Sequence, residues 1–420
     1  MNYPNLKKGH SRIYRLIEQE LKRQKRVINL VPSENFVSQA VLEALATPFT
    51  NKYAEGYPHR RYYHGNEVSD KLEDYTKGLA LKIFKLSPEK WSVNVQPYSG
   101  SPANIAVYTA LVGRGEKILS MNLEHGGHLT HGHKVSVTGQ TWNFAHYGVG
   151  KDGFIDYAEV ETIAQKEKPK LIICGATAYS RQIDFAKFGK IAKKINALLL
   201  ADISHVAGLV VGGAHPSPFS HADVVTSTTH KTLRGPRGAF IVSRAELSDK
   251  IDKAVFPGLQ GGPHLNNIAA MAVAFEEALK PNFKKYARQI IKNTQALAAE
   301  LKKYGFKVIS GGTDNHLLLV DVTPLGLPGK EAGELLEKAG IIVNKNIIPY
   351  DTRKPWDPSG IRLGTPAVTT RGMKEKEMRQ IAECIRMILI DRLNPLKIRK
   401  EVERLTHRFK IPLTPNDYFY

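Results

Sequence analysis

Apolar residues recur at two different periods along this chain. Between residues 11 and 25, Ile13, Leu16, Ile17 and Leu21 fall on one helical face and Lys and Arg crowd the other. The same period returns over 283–303, where Tyr286, Ile290, Ile291, Leu297 and Leu301 form the stripe and Gly305 follows as a helix stop. Between these two helices, short apolar runs alternate with helical patterns. Residues 117–121, 170–174, 197–202, 223–226 and 238–242 read as strands, and 102–112, 157–165 and 185–194 as helices. This alternation predicts an α/β fold with a mostly parallel central sheet and helices on both faces. After Tyr304 the pattern changes. Strands at 307–309 and 317–322, a helix at 329–339, a strand at 341–344 and helices near 373–392 and 396–408 predict a smaller α+β domain. The expected organisation is an N-terminal helical arm over 1–30, a large domain over 31–282 and a small C-terminal domain over 283–420, hinged at the 283–303 helix.

With 420 residues, 42% of them hydrophobic and 24% charged, the chain can bury a full core, which excludes disorder as its main state. Its two cysteines, Cys174 and Cys384, lie in apolar stretches and form neither a disulfide framework nor a metal spacing, so both are expected as buried thiols. The first residues lack the apolar core of a signal peptide. The most apolar long window, 196–215, contains Asp202, Ser204 and His205, which disqualifies it as a membrane span. The expectation is a cytoplasmic protein. Sixty Lys and Arg against 40 Asp and Glu give a net charge of +20, which raises a nucleic-acid reading. Much of that excess sits on the two amphipathic helices: residues 1–30 hold eight basic and two acidic side chains, and 280–303 hold seven and one. No arginine–glycine repeat, basic block or RNA-binding aromatic strand accompanies it, so nucleic acid is not expected as the partner.

Ligands of α/β sheets bind where strands end, and four such ends carry polar groups. Gln96-Pro97-Tyr98-Ser99-Gly100-Ser101-Pro102 runs into an apolar helix; its hydroxyls, glycine and free N–H groups suit a phosphate, and a plain Ser N-cap is the structural alternative. Asp202 closes an apolar strand, as a structural ion pair or as counter-ion to a protonated ring nitrogen, with His205 near enough to orient it. Thr226-Ser227-Thr228-Thr229-His230-Lys231-Thr232 places a lysine after a hydroxyl cluster at a strand end, where partial burial would lower its pKa and suit it to hold a carbonyl cofactor. His125-Gly126-Gly127-His128 offers close backbone approach and a ring to stack; with His131 and His133 it makes a histidine-rich loop, but without an acidic ligand or helical spacing no metal is expected. Phosphate cradle, strand-end Asp and strand-end Lys together are what pyridoxal phosphate requires.

At this point the residues resemble the serine hydroxymethyltransferase family, pyridoxal-phosphate enzymes of fold type I. The resemblance is carried by Ser33-Glu34-Asn35-Phe36, Asn51-Lys52-Tyr53-Ala54-Glu55-Gly56-Tyr57-Pro58, Arg61-Tyr62-Tyr63, Ser99-Gly100-Ser101 and the 125–131 loop. It continues through Ala178-Tyr179-Ser180, residues 202–209, Thr228-Thr229-His230-Lys231-Thr232-Leu233-Arg234-Gly235, Phe256-Pro257-Gly258, Gln260-Gly261-Gly262-Pro263, Asp314-Asn315-His316, Asn344-Lys345-Asn346 and Gly360-Ile361-Arg362, in family order over nearly the whole chain. It implies that Lys231 carries the cofactor, with Thr228 and His230 in the same catalytic group. Asp202 would hold the pyridine nitrogen and His128 would stack on the ring. His205 and Thr177 would lie near the phenolic oxygen. Ser99, Gly100 and Ser101 would bind the phosphate, helped by Gly262 from a second subunit. Arg362 would take the substrate carboxylate with Ser33 beside it, as a guanidinium can through paired hydrogen bonds. Tyr53, Glu55 and Tyr63 would come from the partner subunit, Glu55 handling the proton of the serine hydroxyl. Leu123, Gly127, Leu129 and Asn346 would contact folate. The implied reaction moves the hydroxymethyl carbon of L-serine to tetrahydrofolate, giving glycine and 5,10-methylenetetrahydrofolate, in a homodimer or a tetramer with shared sites. Thr177 stands where the family usually has Ser, Ser227 where Thr is usual, His64 where Gly is common, and Lys354-Pro355-Trp356 where a Ser-Pro-Phe type segment is expected. A threonine or allo-threonine aldolase would share Lys231, Asp202 and the phosphate turn, but not the Tyr53-Ala54-Glu55-Gly56-Tyr57 block or the folate segments.

Overall fold

The computed structural model describes residues 3–411. Its central sheet has seven strands in the spatial order Trp91–Asn94, Ala239–Arg244, Val224–Thr228, Leu198–Asp202, Leu171–Cys174, Lys117–Met121, Asn143–Tyr147. Neighbours pair in parallel throughout, except that Ala239–Arg244 runs antiparallel to both its neighbours. The β-branched and Leu runs Leu171–Cys174 and Val224–Thr228 are buried along their whole length, as a strand covered on both faces must be. The predicted α/β architecture is therefore the one observed.

The smaller sheet has the order Lys307–Val308, Leu317–Asp321, Gly360–Gly364, Asn344–Asn346, all antiparallel. Gly360–Gly364 was not expected from the pattern. Glycines at both ends and an arginine in the middle read as a loop, yet it pairs on both sides and is fully buried. Asn143–Tyr147 also escapes the pattern, because as an edge strand it is only partly buried and lacks β-branched residues. The helices Glu67–Phe84 and Leu265–Leu279, likewise unforeseen, pack against each other.

The helix Pro281–Lys303 spans both cores. Phe283, Tyr286, Ala287 and Ile290 join the core of the large sheet, and Leu297, Ala298 and Leu301 that of the small one. The two thiols also part company: Cys174 is buried in the first core and Cys384 in the second. The N-terminal helix Ser11–Arg26 buries none of its residues, and Ile13 and Leu16 on its apolar stripe are 52% and 54% exposed. Just after it, Ile28 and Leu30 enter the small core, where Ile28–Asn29 pairs in parallel with Ile341–Ile342. Buried Arg371 ties these ends together, donating to the carbonyls of Lys25, Val27, Thr406 and Phe409. Two helix C-termini, each with carbonyls lacking helical partners, are thereby satisfied by one cation. Among the described residues no helix is long and apolar enough to cross a membrane.

Candidate active site

Because the parallel strands of the central sheet share one direction, their carboxyl ends open on one edge. A cavity of about 370 Å³ lies there, lined by Ser33, Ser99, Gly100, Ser101, His128, Thr177, Asp202, His205, Thr228, His230 and Lys231 among the residues singled out from sequence. Glu34, Asn104, His131, Ala176, Ser204 and Arg237 line it too.

Ser99 is the N-cap of the helix Gly100–Leu111, but its side chain makes no capping hydrogen bond. The plain-cap alternative is thus not realised, and Ser99 lines the cavity at the helix start, whose first N–H groups lack helical partners. Gly100 leaves no room for a side chain: a Cβ there would lie 2.9 Å from Cγ2 of Thr228. This corner has the donor chemistry and the close backbone approach that a phosphate requires.

Asp202 ends its strand inside a set of donors. Asn104 Nδ2 donates to Oδ2 at 2.9 Å, and the backbone N–H of Ser204 donates to Oδ1 at 3.1 Å. His131 Nε2 lies 3.3 Å from Oδ2; its Nδ1 accepts from the His128 N–H, so Nε2 carries the hydrogen. The ring that meets the carboxylate is therefore His131 rather than His205, which turns to His316 instead. Thr226 Oγ1 fixes Asn104 in turn by donating to its Oδ1 at 2.8 Å. Burial alone would raise the carboxyl pKa, but the bonds from His131, Asn104 and Ser204 outweigh it and hold the group well below the usual carboxylate range. The group is held as an anion.

Lys231 follows the strand Val224–Thr228. Burial lowers its amine to about 8, against a smaller opposing pull from Asp202 and with help from Arg362 and Arg237. Asn35 Nδ2 donates to its backbone carbonyl at 2.9 Å, which brings the Ser33 segment to the site. The hydroxyls around it divide their work. Thr229 and Thr232 are spent on the carbonyls of Pro236 and His205, while the backbone N–H of Thr228 donates to Ser204 Oγ. Burial pushes His128 down to about 4 and His230 to about 3, so both rings are neutral. His128 Nδ1 accepts from Thr130 N–H and lies 2.8 Å from Thr130 Oγ1, which sets the plane of its ring.

Arg362 is buried on the strand Gly360–Gly364, and its Nη1 donates to the Thr177 carbonyl at 2.6 Å. Thr177 is itself anchored, its N–H donating to Gly126 O at 2.7 Å. Gly126 adopts φ of 113°, and a Cβ there would meet the Ala178 carbonyl at 2.9 Å.

Residues 6–385 match the family model of serine hydroxymethyltransferase. The chain belongs to the serine hydroxymethyltransferase family. It is 55% identical over 371 residues to the serine hydroxymethyltransferase of Acidothermus cellulolyticus, covering 88% of this chain and 86% of that one. It is 54% identical over 399 residues to that of Acidobacterium capsulatum, covering 94% and 92%. The fold is thus that of a fold-type-I pyridoxal-phosphate enzyme, and the cavity residues fit that cofactor: a phosphate corner, a held carboxylate, a depressed lysine and a neutral ring to stack.

Other residues assigned by the serine hydroxymethyltransferase resemblance do not line this cavity. Tyr53, Glu55, Tyr63 and Gly262 form a separate cluster. The Tyr53 and Tyr63 rings meet edge-on at 5.4 Å, Glu55 pushes the Tyr63 phenol up, and a Cβ at Gly262 would lie 3.6 Å from Glu55 Cγ. Tyr53 is 59% and Tyr63 43% exposed. The loop bearing this cluster is held by Arg61, whose side chain is 4% exposed; it pairs with Asp70 and Glu73 and donates to the carbonyls of Ala54 and Gly56. Leu123 is half-buried and Leu129 exposed. Asn346 sits on the strand Asn344–Asn346. Gly127 packs too closely for any side chain, since a Cβ would lie 2.2 Å from Met121 O.

Among the described residues no group is arranged to hold a metal ion. Sequence reasoning passed over His131, Asn104 and His316 as supports of the site. Asn104 was the one with a signal: a buried amide on an apolar helix must find partners.

Proposed function

We propose that this chain transfers the hydroxymethyl carbon of L-serine to tetrahydrofolate, releasing glycine and 5,10-methylenetetrahydrofolate, at the Lys231 cavity with pyridoxal 5′-phosphate as cofactor. The observation that carries the reading is the convergence of Lys231, ionised Asp202 and the Ser99-Gly100-Ser101 corner on one cavity. When bound, the cofactor supplies an electron sink for bond breaking at the substrate α-carbon. Asp202 keeps a ring nitrogen protonated, which its three donors equip it to do. Lys231 holds the cofactor carbonyl, and Thr228 and His230 frame it. His128 covers the ring face, and Thr177 and His205 attend the phenolic side. Arg362 and Ser33 receive the substrate carboxylate.

Glu55, Tyr53, Tyr63 and Gly262 complete the site of a neighbouring subunit. Two observations support this assignment: the cluster supplies no lining residue to its own chain's cavity, and the Ser11–Arg26 helix leaves Ile13 and Leu16 without cover on its own chain. A homodimer with shared sites, alone or paired into a tetramer, accounts for both. Leu123, Gly127, Leu129 and Asn346 form the folate side of the entrance. The three-part organisation at residues 1–30, 31–282 and 283–420 and a cytoplasmic location complete the proposal.

The test supplies L-serine labelled at the β-carbon, with and without tetrahydrofolate. Label appearing in the folate product with equimolar glycine supports the reading. Cleavage of allo-threonine with no folate-dependent transfer from serine contradicts it.

A further inference from the structure

Behind the Lys231 cavity three histidines are almost wholly buried: His205 is 4% exposed, His215 6% and His316 0%. His205 Nδ1 and His316 Nε2 are 3.0 Å apart, so a single hydrogen lies between them. His215 Nδ1 lies 3.0 Å from the Pro216 carbonyl. A carbonyl only accepts, so His215 Nδ1 carries its hydrogen; burial keeps the ring neutral, and Nε2 is therefore a bare acceptor. Three ring nitrogens have no hydrogen-bond partner among the described residues: His205 Nε2, His316 Nδ1 and His215 Nε2. A second, internal cavity of about 10 Å³ is lined by all three rings. That volume seats about one water, and orphaned buried nitrogens are the partners such a water needs.

We infer that one bound water in this internal cavity donates to both His316 Nδ1 and His215 Nε2, and that this relay places a hydrogen on His205 Nε2, directed at the cofactor cavity. The water by itself admits either tautomer of His316; the phenolic oxygen, an acceptor, selects the one that leaves a donor on His205 Nε2. His215 Nε2 accepts from the water because its own hydrogen is committed to Pro216. With His316 Nδ1 also accepting from that water, His316 must carry its hydrogen on Nε2 and donate it to His205 Nδ1. His205 is left with its hydrogen on Nε2, on the opposite side of its ring from His316. His205 lines both cavities. The phenolic oxygen of pyridoxal phosphate is an acceptor, so a donor is what this face of the site requires. His316 and His215 are thus positioning residues that act through His205.

The inference rests on reading the Lys231 cavity as the cofactor site. Neutron diffraction from the deuterium-exchanged holoenzyme tests it. The expected map has deuterium on Nε2 of His205 and His316 and on Nδ1 of His215, with one water within hydrogen-bond distance of His316 Nδ1 and His215 Nε2. Deuterium on His205 Nδ1, or an internal cavity with no water, overturns the relay while leaving the cofactor site standing. Failure of the protein to bind pyridoxal phosphate at all overturns both. A matched pair of variants supplies a second readout. In His316→Gln the amide nitrogen replaces Nε2 as donor, so the dissociation constant for pyridoxal phosphate stays within about threefold of wild type, whereas His316→Leu leaves His205 Nδ1 unpaired and raises it roughly tenfold. Equal losses in the two variants, tracking only a fall in melting temperature, contradict the relay.

Discussion

Arg362 Nη1 donates to the carbonyl of Thr177 at 2.6 Å. One residue belongs to the small sheet and the other to a loop at the carboxyl edge of the large one, so this bond aims a buried guanidinium from one sheet across the end of the other. Nε is held as well, by Asn344 Oδ1 at 3.0 Å. An ammonium cannot make both bonds and still present a planar fork to a carboxylate. Arg362→Lys is therefore expected to raise the serine KM about tenfold or more, with cofactor binding unchanged. Steady-state kinetics beside a cofactor titration checks this, and an unchanged KM would remove Arg362 from the substrate site.

Lys231 gives a pH dependence with a definite sign. Its amine is lowered from 10.5 to about 8 by burial, and only the neutral amine attacks a carbonyl. The rate at which apoenzyme captures pyridoxal phosphate should rise about tenfold per pH unit below this value and level off above it. In the apoenzyme, the unfolded chain holds more protons than the native one between about pH 8 and 10.5, so this lysine's contribution to stability rises with pH in that window. Stopped-flow absorbance measures the capture rate; a midpoint at the ordinary lysine value would contradict the burial argument.

The proposed sharing of the site between subunits predicts complementation. Lys231→Ala and Glu55→Gln are each expected to lose folate-dependent turnover, the second by about 10²–10⁴-fold. Mixed dimers of the two carry one site with both wild-type groups. An equal mixture, unfolded and refolded together, should regain about a quarter of wild-type activity. No recovery in verified mixed dimers would place Glu55 and Lys231 in the same chain's site.

Arg371 offers a prediction about stability alone. Its removal leaves the carbonyls of Val27, Thr406 and Phe409 without their donor. Arg371→Leu should cost about 3 kcal/mol or more, read by urea unfolding at fixed protein concentration, while kcat of the folded fraction is retained.

Much of this was legible in the sequence because the governing signals are local. The strand ending in Asp202 and the helix Phe185–Lys194 follow from unbroken apolar runs and periodicity. Lys231 stood out because a hydroxyl-rich strand end is an odd place for a surface lysine. What escaped was set by distant partners. Gly360–Gly364 is a strand only because Leu317–Asp321 and Asn344–Asn346 flank it. His131 reaches Asp202 across 71 positions, and His316 reaches His205 across 111. No spacing rule links such residues. The apolar stripe of the N-terminal helix was correctly periodic, yet within this chain only part of it is covered: the helix meets Pro395–Arg408 while Ile13 and Leu16 stay exposed. Periodicity reports that a face is apolar, not which surface covers it.

The central claim is that Lys231 carries the chemistry of hydroxymethyl transfer. The most direct test gives Lys231→Ala holoenzyme β-carbon-labelled L-serine and tetrahydrofolate and follows label into methylenetetrahydrofolate, together with the cofactor's visible absorbance. The account predicts loss of the lysine-bound band and of all label transfer, in a protein that keeps its fold by circular dichroism. Transfer at the wild-type rate would contradict it.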